Sequence, residues 1–144
     1  MPRRSPSLLL VHAVWATYDR KPYLPPSLDP HLQTMLGRHA QEVGCQLIAA
    51  GCASDHVHVV ARLSSSVALG ELVRRMKGAS AHELNHPRRF TQHFAWQLGY
   101  WAESLSPGDL NPTIDYVTRQ RQHHDAAHPA ERWAMAPSFS GNLR

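Results

Sequence analysis

Two histidines one residue apart are the side chains in this sequence whose types and spacing best suit metal chemistry. His56 and His58 flank Val57 at the start of an apolar run that continues to Ala61. Successive side chains of a β-strand alternate between its faces, so both imidazoles are predicted on one face, about 7 Å apart along the strand. At that spacing they can converge on one divalent ion. The alternative is a pair of half-exposed histidines on an edge strand.

A tyrosine and a glutamine that follow 58 and 62 residues after His58 favour the metal interpretation. Pro112 fits the first position of a helix, so a helix is predicted from Asn111 to about Ala127. Tyr116 and Gln120 then lie one turn apart on the same helical face. The alternatives are an aromatic residue at the rim of the domain and an ordinary solvated glutamine.

Together these features resemble the single-tyrosine HUH transposases of the IS200/IS605 type, including REP-associated tyrosine transposases. A His-hydrophobic-His strand alone is weak, but five blocks in the same order and at these spacings make the resemblance specific. It covers about residues 8–125. The matching blocks are Val14–Thr17 with Arg20 and Pro22, Asp55–His58, Glu71–Gly78, Phe94–Gln97 with Gly99 and Tyr100, and Tyr116–His124.

The resemblance implies a chemistry and a set of roles. Tyr116 would be the nucleophile that becomes linked to a 5′ phosphate, freeing a 3′ hydroxyl that can rejoin another strand. His56, His58 and Gln120 would ligate a divalent metal, Mg²⁺ or Mn²⁺; imidazole suits Mn²⁺ better. The resemblance also implies a homodimer with composite active sites, in which the tyrosine helix reaches the partner's histidine pair. A monomer acting in cis is the alternative.

The charge of the chain indicates nucleic acid as the partner. Net charge is +4 with a pI of about 9.5, and 13 of the 15 basic residues are arginine, which binds phosphate bidentately and stacks on bases. The expected substrate is single-stranded or hairpin DNA. For the basic residues on the second helix a solvated face is the alternative. The predicted DNA-binding residues are Arg74, Arg75, Lys77, Arg20 and Lys21.

Nothing in the sequence predicts a membrane protein. No apolar run approaches the roughly 18 residues that a membrane span needs. The short run Leu8–Val11 lacks a cleavage site and is not expected to be a signal peptide. Cys45 and Cys52 are not spaced as a metal or redox motif and are expected to be reduced. We therefore expect the protein in the cytoplasm of a bacterial or archaeal cell.

The order of predicted elements, β-α-β-β-α-β-α, is typical of an α+β ferredoxin-like domain with one additional C-terminal helix that carries the nucleophile. The sheet would be four-stranded and antiparallel, with helices on one face and the other face free for metal and DNA. A single domain over residues 1–144 is expected, with a core at about 8–125 and an irregular tail at 126–144, anchored by Trp133. Strands are predicted at Leu8–Tyr18, Gln46–Gly51, His56–Leu63 and Phe94–Ser104, with helices from Asp29 and Leu69.

Several residues have two interpretations. Asp55 either orients a histidine or forms an Asx turn. Trp96, Tyr100 and Trp101 could stack unpaired bases, although packing is favoured for most of them. Glu103 is unusual because an apolar residue is expected at its strand position.

Two other functions compete with the transposase. One is a non-catalytic nucleic-acid-binding module of ferredoxin-like fold, and the other is a small metal-binding protein with a different ligand. The presence of both histidines, the tyrosine and the glutamine argues against the first, and the arginine-rich helix argues against the second. A close variant of the transposase is a host-retained relative that cuts repeated palindromic elements.

Overall fold

The structure, a computed structural model, describes residues 6–86, 93–121 and 129–135 of the chain. Four strands form one antiparallel sheet in the order β2-β3-β1-β4, which confirms the α+β ferredoxin-like fold. The elements are β1 (Leu9–Ala16), α1 (Asp29–Glu42), β2 (Gln46–Cys52), β3 (His56–Leu63), α2 (Leu69–Asn85), β4 (Trp101–Leu105), α3 (Leu110–Thr118) and α4 (Pro129–Met135).

One face of the sheet packs against α1 and α2 to form the main core. Alternate residues of β1 and β3, such as Trp15 and Val57, point into this core and are completely buried. The amphipathic spacing of α2 places Leu72 and Met76 against them. This packing fixes the register of β3, and therefore the face on which its histidines lie.

The opposite face of the sheet is covered in part by α3 and α4, so the prediction that it is free is wrong. Val14 of β1 packs with Ala130, Trp101 and Trp133 in a small second cluster. The predicted anchoring role of Trp133 is confirmed. The prediction of an irregular tail from residue 126 is wrong at Pro129–Met135, because Pro129 begins a short helix.

The fourth strand is shorter than predicted. It begins at Trp101, whereas Phe94 and Trp96 lie in the main core, where Trp96 Nε1 donates to Ser80 Oγ at 2.9 Å. Gly99 has a φ of 90°, which is left-handed and interrupts the extended chain. Packing therefore accounts for Trp96, in agreement with the favoured interpretation.

The helix α3 approaches the sheet closely at Gly51 of β2. A Cβ atom added at Gly51 would lie 1.8 Å from the carbonyl oxygen of Val117, so only glycine allows this contact. The helix ends at Thr118, well before the predicted end at Ala127, and residues 122–128 lie outside the described residues. Gln120 consequently lies in a turn just beyond α3.

No helix in the described parts of the chain is both long enough and apolar enough to cross a bilayer.

Candidate functional site

The histidine pair lies on β3, one of the two central strands, and points away from the main core. The exposed fractions of His56 and His58 are 1% and 0%, so the alternative of a half-exposed pair on an edge strand is wrong. The two rings lie 5.1 Å apart between centroids. Flanking strands and the covering helices α3 and α4 together remove them from solvent.

Glu131 on α4 meets both histidines. Its Oε1 atom lies 2.8 Å from His58 Nε2, and its Oε2 atom lies 3.2 Å from His56 Nε2. The sequence analysis missed this fully buried carboxylate. A signal was present: Pro129, two residues earlier, fits a helix start, and an acidic residue in the first turn is favoured there.

Tyr116 reaches the same carboxylate from α3. Its hydroxyl donates a hydrogen bond of 2.8 Å to Glu131 Oε1. Its ring stands edge-on to His58 with 5.5 Å between centroids. The nucleophile and the histidine pair predicted from the sequence are thus brought together within one chain, without a partner subunit.

The ligand atoms of His56, His58 and Glu131 lie within 4.8 Å of one another, so the three residues could hold one metal ion. Gln120 is also buried, and its Nε2 atom donates to the main-chain oxygen of Tyr116 at 3.2 Å. Its Oε1 atom is buried without a hydrogen-bond partner among the described residues. A buried carbonyl oxygen in that state is suited to a cation.

The pKa values of the two histidines are shifted in opposite directions. Burial disfavours the charged form of His56, but the hydrogen bond to Asp55 and the nearby carboxylate of Glu131 outweigh it and raise the pKa to about 9. Burial dominates at His58 and lowers its pKa to about 4. Burial would raise the pKa of Glu131, yet the contacts with His56 and His58 hold this pKa far below its usual range. Without metal, the cluster is therefore an ionised carboxylate beside one charged and one neutral imidazole.

Asp55 orients His56, which decides between the two interpretations of this residue. Asp55 Oδ1 lies 2.8 Å from His56 Nδ1, and Asp55 Oδ2 accepts a hydrogen bond of 2.7 Å from Arg20. Burial would raise the pKa of Asp55, but these two contacts outweigh it and lower the pKa. Arg20, predicted to bind DNA, is thus engaged in holding the carboxylate behind the site.

A third histidine and a third carboxylate lie behind His58. His12 of β1 is fully buried, and its Nε2 atom lies 2.9 Å from His58 Nδ1. Its Nδ1 atom lies 3.1 Å from Glu103 Oε2 on β4. The sequence analysis missed His12, although its place in an apolar strand was a signal that its ring needs partners.

The predicted DNA-binding residues of α2 differ in their environments. Arg74 is exposed and makes no ion pair among the described residues, whereas Arg75 binds Glu42 with a shortest distance of 2.5 Å. Lys77 donates to the carbonyl oxygens of Gln97 and Gly99 at 2.7 and 2.9 Å. Burial lowers the pKa of Lys77 to about 8.

The remaining candidates lie near the sheet. Lys21 is partly buried beside Arg20. Of the aromatic residues, Tyr100 is exposed, while Trp101 is partly buried and packs edge-on to His12 with 5.3 Å between ring centroids.

The fold and these side chains define a class of protein: a ferredoxin-like domain that brings a histidine pair, a carboxylate and a tyrosine hydroxyl together on one face of its sheet. The sequence model of the family described as "Transposase IS200 like" matches residues 5–120, and the protein belongs to this family of transposases. None of the curated proteins matches the chain.

Two solved structures share the fold. One is a protein of Deinococcus radiodurans R1 assigned as a transposase, with a TM-score of 0.66 at 23% sequence identity, covering 85% of this chain and 98% of its own. The other is a REP-associated tyrosine transposase bound to a REP hairpin, with a TM-score of 0.62 at 13% identity, covering 100% of this chain and 94% of its own. At these identities the likeness shows the fold alone.

Proposed function

We propose that this protein is a metal-dependent transposase that cleaves and rejoins single-stranded DNA through a 5′-phosphotyrosine intermediate. The observation that carries the proposal is the convergence of Tyr116 Oη, His56 and His58 on the carboxylate of Glu131. Buried ionisable groups rarely stabilise a fold more than apolar residues of the same volume would. Their assembly beside a tyrosine hydroxyl therefore supports a chemical role.

The metal would be held by His56, His58 and Glu131, with Gln120 Oε1 as a further ligand. The donor set fits a divalent ion, because three ligand atoms already converge and the glutamine oxygen has no other hydrogen-bond partner among the described residues. Two imidazoles with oxygen ligands suit Mn²⁺ better than Mg²⁺, although either could serve. A bound divalent ion would withdraw charge from the scissile phosphate and orient it for in-line attack.

Tyr116 would supply the nucleophilic oxygen. A phenol with a pKa near 10 is a weak nucleophile at neutral pH and needs a proton acceptor. Its hydroxyl already donates to Glu131 Oε1, which orients the oxygen, and the phenol proton passes to water as Tyr116 Oη attacks phosphorus. The bond from Oη to phosphorus forms, the bond from phosphorus to the 3′ oxygen breaks, and the 3′ oxygen takes up a proton to leave as a hydroxyl.

The proposed substrate is single-stranded or hairpin DNA in the cytoplasm of a bacterial or archaeal cell. Support comes from the arginine-rich charge and from a relative of the same fold that is bound to a REP hairpin. Arg74 is the clearest phosphate-binding candidate because it is exposed and unpaired among the described residues. Arg75, Lys77, Arg20 and Lys21 remain proposed DNA contacts.

A homodimer is also proposed, on the resemblance alone. The structure does not need a partner to complete the constellation, because Val117 and Gln120 are buried against the same chain. A dimer that keeps this geometry holds two cis sites. Composite sites would require α3 to leave Gly51 and to remake the same contacts on the partner.

The decisive experiment uses labelled single-stranded hairpin DNA with Mn²⁺, resolved on denaturing gels. The native protein should form a covalent adduct, and Tyr116→Phe should form none. The exposed Tyr18→Phe serves as the matched control and should behave as the native protein. An adduct that persists in Tyr116→Phe would move the nucleophile elsewhere. Binding without any adduct, in the native protein and with either metal, would favour the non-catalytic binding module.

A further inference from the structure

His12 is a buried histidine that the proposed reaction does not use directly. Its neighbours on the same strand face, Leu10 and Val14, are apolar and buried. A buried imidazole needs partners for both nitrogens, and His12 has them: His58 Nδ1 at 2.9 Å and Glu103 Oε2 at 3.1 Å. The result is a series of hydrogen bonds that runs from the carboxylate of Glu103, through the imidazole of His12, to the ring of His58, a proposed metal ligand.

Glu103 completes the chain from the neighbouring strand. It stands directly opposite His12 in the pairing of β1 with β4, so the sheet register brings the two side chains together. Its side chain is 38% exposed, so the carboxylate remains in contact with solvent while its Oε2 reaches the buried ring. This contact accounts for an acidic residue where the strand pattern calls for an apolar one.

We propose that His12 and Glu103 are positioning residues that stabilise the Nδ1–H tautomer of His58 once a metal ion replaces the proton that Nε2 directs at Glu131. The inference rests on the proposed function, because it concerns the metal ligands of that same site. His58 Nε2 faces Glu131 and is the ligand atom. It can offer its lone pair only when the ring proton of His58 lies on Nδ1.

The order of the three residues Glu103, His12 and His58 sets the direction of each hydrogen bond between them. With a cation on Nε2, His58 Nδ1–H donates to His12 Nε2. His12 must then carry its own proton on Nδ1, which donates to Glu103 Oε2. An ionised carboxylate accepts and cannot donate, so Glu103 fixes the order of donors along the whole chain.

The other histidine of the pair has the same support in a shorter form. His56 Nδ1 lies 2.8 Å from Asp55 Oδ1, with no residue between them. In both proposed ligands the nitrogen that faces away from Glu131 is thus linked to a carboxylate, directly at His56 and through His12 at His58. Partners of this kind fix ring orientation, raise ligand basicity and typically change metal affinity ten- to hundredfold.

The test measures metal binding rather than DNA cleavage. His12→Leu removes the acceptor for His58 and should weaken Mn²⁺ binding ten- to hundredfold by isothermal titration calorimetry. His12→Gln should restore most of the affinity, because the amide oxygen can accept from His58 while the amide nitrogen donates to Glu103. In the Zn²⁺-loaded native protein, long-range ¹H–¹⁵N spectra should show His58 protonated at Nδ1, and His12→Leu should weaken that signature.

A matched control is available in α1. His39 also contacts carboxylates on both nitrogens, those of Glu42 and Glu83, but it lies on the helix α1 at the opposite face of the sheet. His39→Leu should leave Mn²⁺ affinity and the His58 tautomer unchanged. If His12→Leu does not fold, as judged by circular dichroism, Glu103→Gln at the rim takes its place and should weaken binding in the same direction.

Native Mn²⁺ affinity with unchanged Nδ1 protonation in His12→Leu, or native affinity in Glu103→Gln if that variant has to stand in, would overturn the inference. Its failure is distinguishable from failure of the proposed function. A native protein that binds Mn²⁺ but never forms the DNA adduct would refute the proposed function and leave the inference open to the same affinity test. A native protein that binds no divalent ion would refute both.

Discussion

His56, His58 and Tyr116 all contact the carboxylate of Glu131, so its charge acts on each of them in the metal-free site. Glu131→Gln keeps the size of the side chain and removes the charge. The pKa of His56, which is about 9 in the native protein, should fall in this variant because one of its two supporting carboxylates is lost. NMR titration of the histidine ring protons in the presence of EDTA measures the change. Glu83→Gln, beside His39, is the control and should leave His56 unaffected.

The same substitution gives a pH dependence of stability. The pKa of Glu131 is lowered by folding, so its contribution is present above the unfolded value of about 4.5 and is lost as the pH falls. The pKa of His56 is raised, so its contribution is complete below about 6.5 and is lost as the pH rises through about 9. The difference in unfolding free energy between the native protein and Glu131→Gln, without metal, should therefore be greatest between about pH 4.5 and pH 6.5, where both contributions are present. Urea titrations across the range test this, and a difference that grows toward pH 9 would contradict it.

At the scale of elements, α3 depends on the glycine beneath it. Gly51→Ala would force the Val117 carbonyl away from β2, so we expect a loss of about 1–3 kcal/mol in unfolding free energy and a lower yield of DNA adduct. Gly78→Ala on α2 is the matched control, because its added methyl group meets no atom within 4 Å. That variant should gain up to about 1 kcal/mol from helix propensity. Equal stability of the two variants would show that α3 is not seated as described.

Arg74 and Lys77, two basic residues of α2, should differ in what they contribute. Lys77→Met removes donors from two main-chain carbonyls and should lower the unfolding free energy by about 1–3 kcal/mol. Arg74→Gln should leave stability unchanged and reduce the slope of log affinity against log salt for single-stranded DNA by about 0.7. Chemical denaturation and salt-dependent binding separate the two effects. A changed salt slope with full stability in Lys77→Met would instead assign Lys77 to DNA.

The sequence predicted elements well where one periodicity dominated. The bounds of β3 agree at both ends, and α1 and α2 begin at Asp29 and Leu69 as expected. It failed where tertiary contacts decide: Phe94 and Trp96 have strand-forming character but are drawn into the core. The sequence offered signals at Glu131 and His12 but not their partners, because their roles depend on contacts 73 and 46 residues away along the chain.

At the scale of the whole molecule, the single chain contains the full constellation in cis. Arg121, just beyond α3, also binds its own chain, since its guanidinium contacts both carboxylate oxygens of Asp29 at 2.7 and 3.0 Å. We therefore expect that mixing inactive His56→Ala and Tyr116→Phe proteins leaves cleavage absent, even where analytical ultracentrifugation shows mixed dimers. Activity recovered by the mixture would show that α3 is exchanged between subunits and that the sites are composite.

The alternation of residues along β3 has a consequence for folding errors. Val57 and Val59 face the main core, and His56 and His58 face the site, on the same eight-residue strand. A slip of one residue against β1 would drive both imidazoles into the apolar layer and turn the valines toward Glu131. Such a misregistered chain would lose core burial and metal ligation together. Correct strand pairing and assembly of the candidate site therefore depend on the same register. A chain that misfolds in this way would also lack the histidine pair at the site.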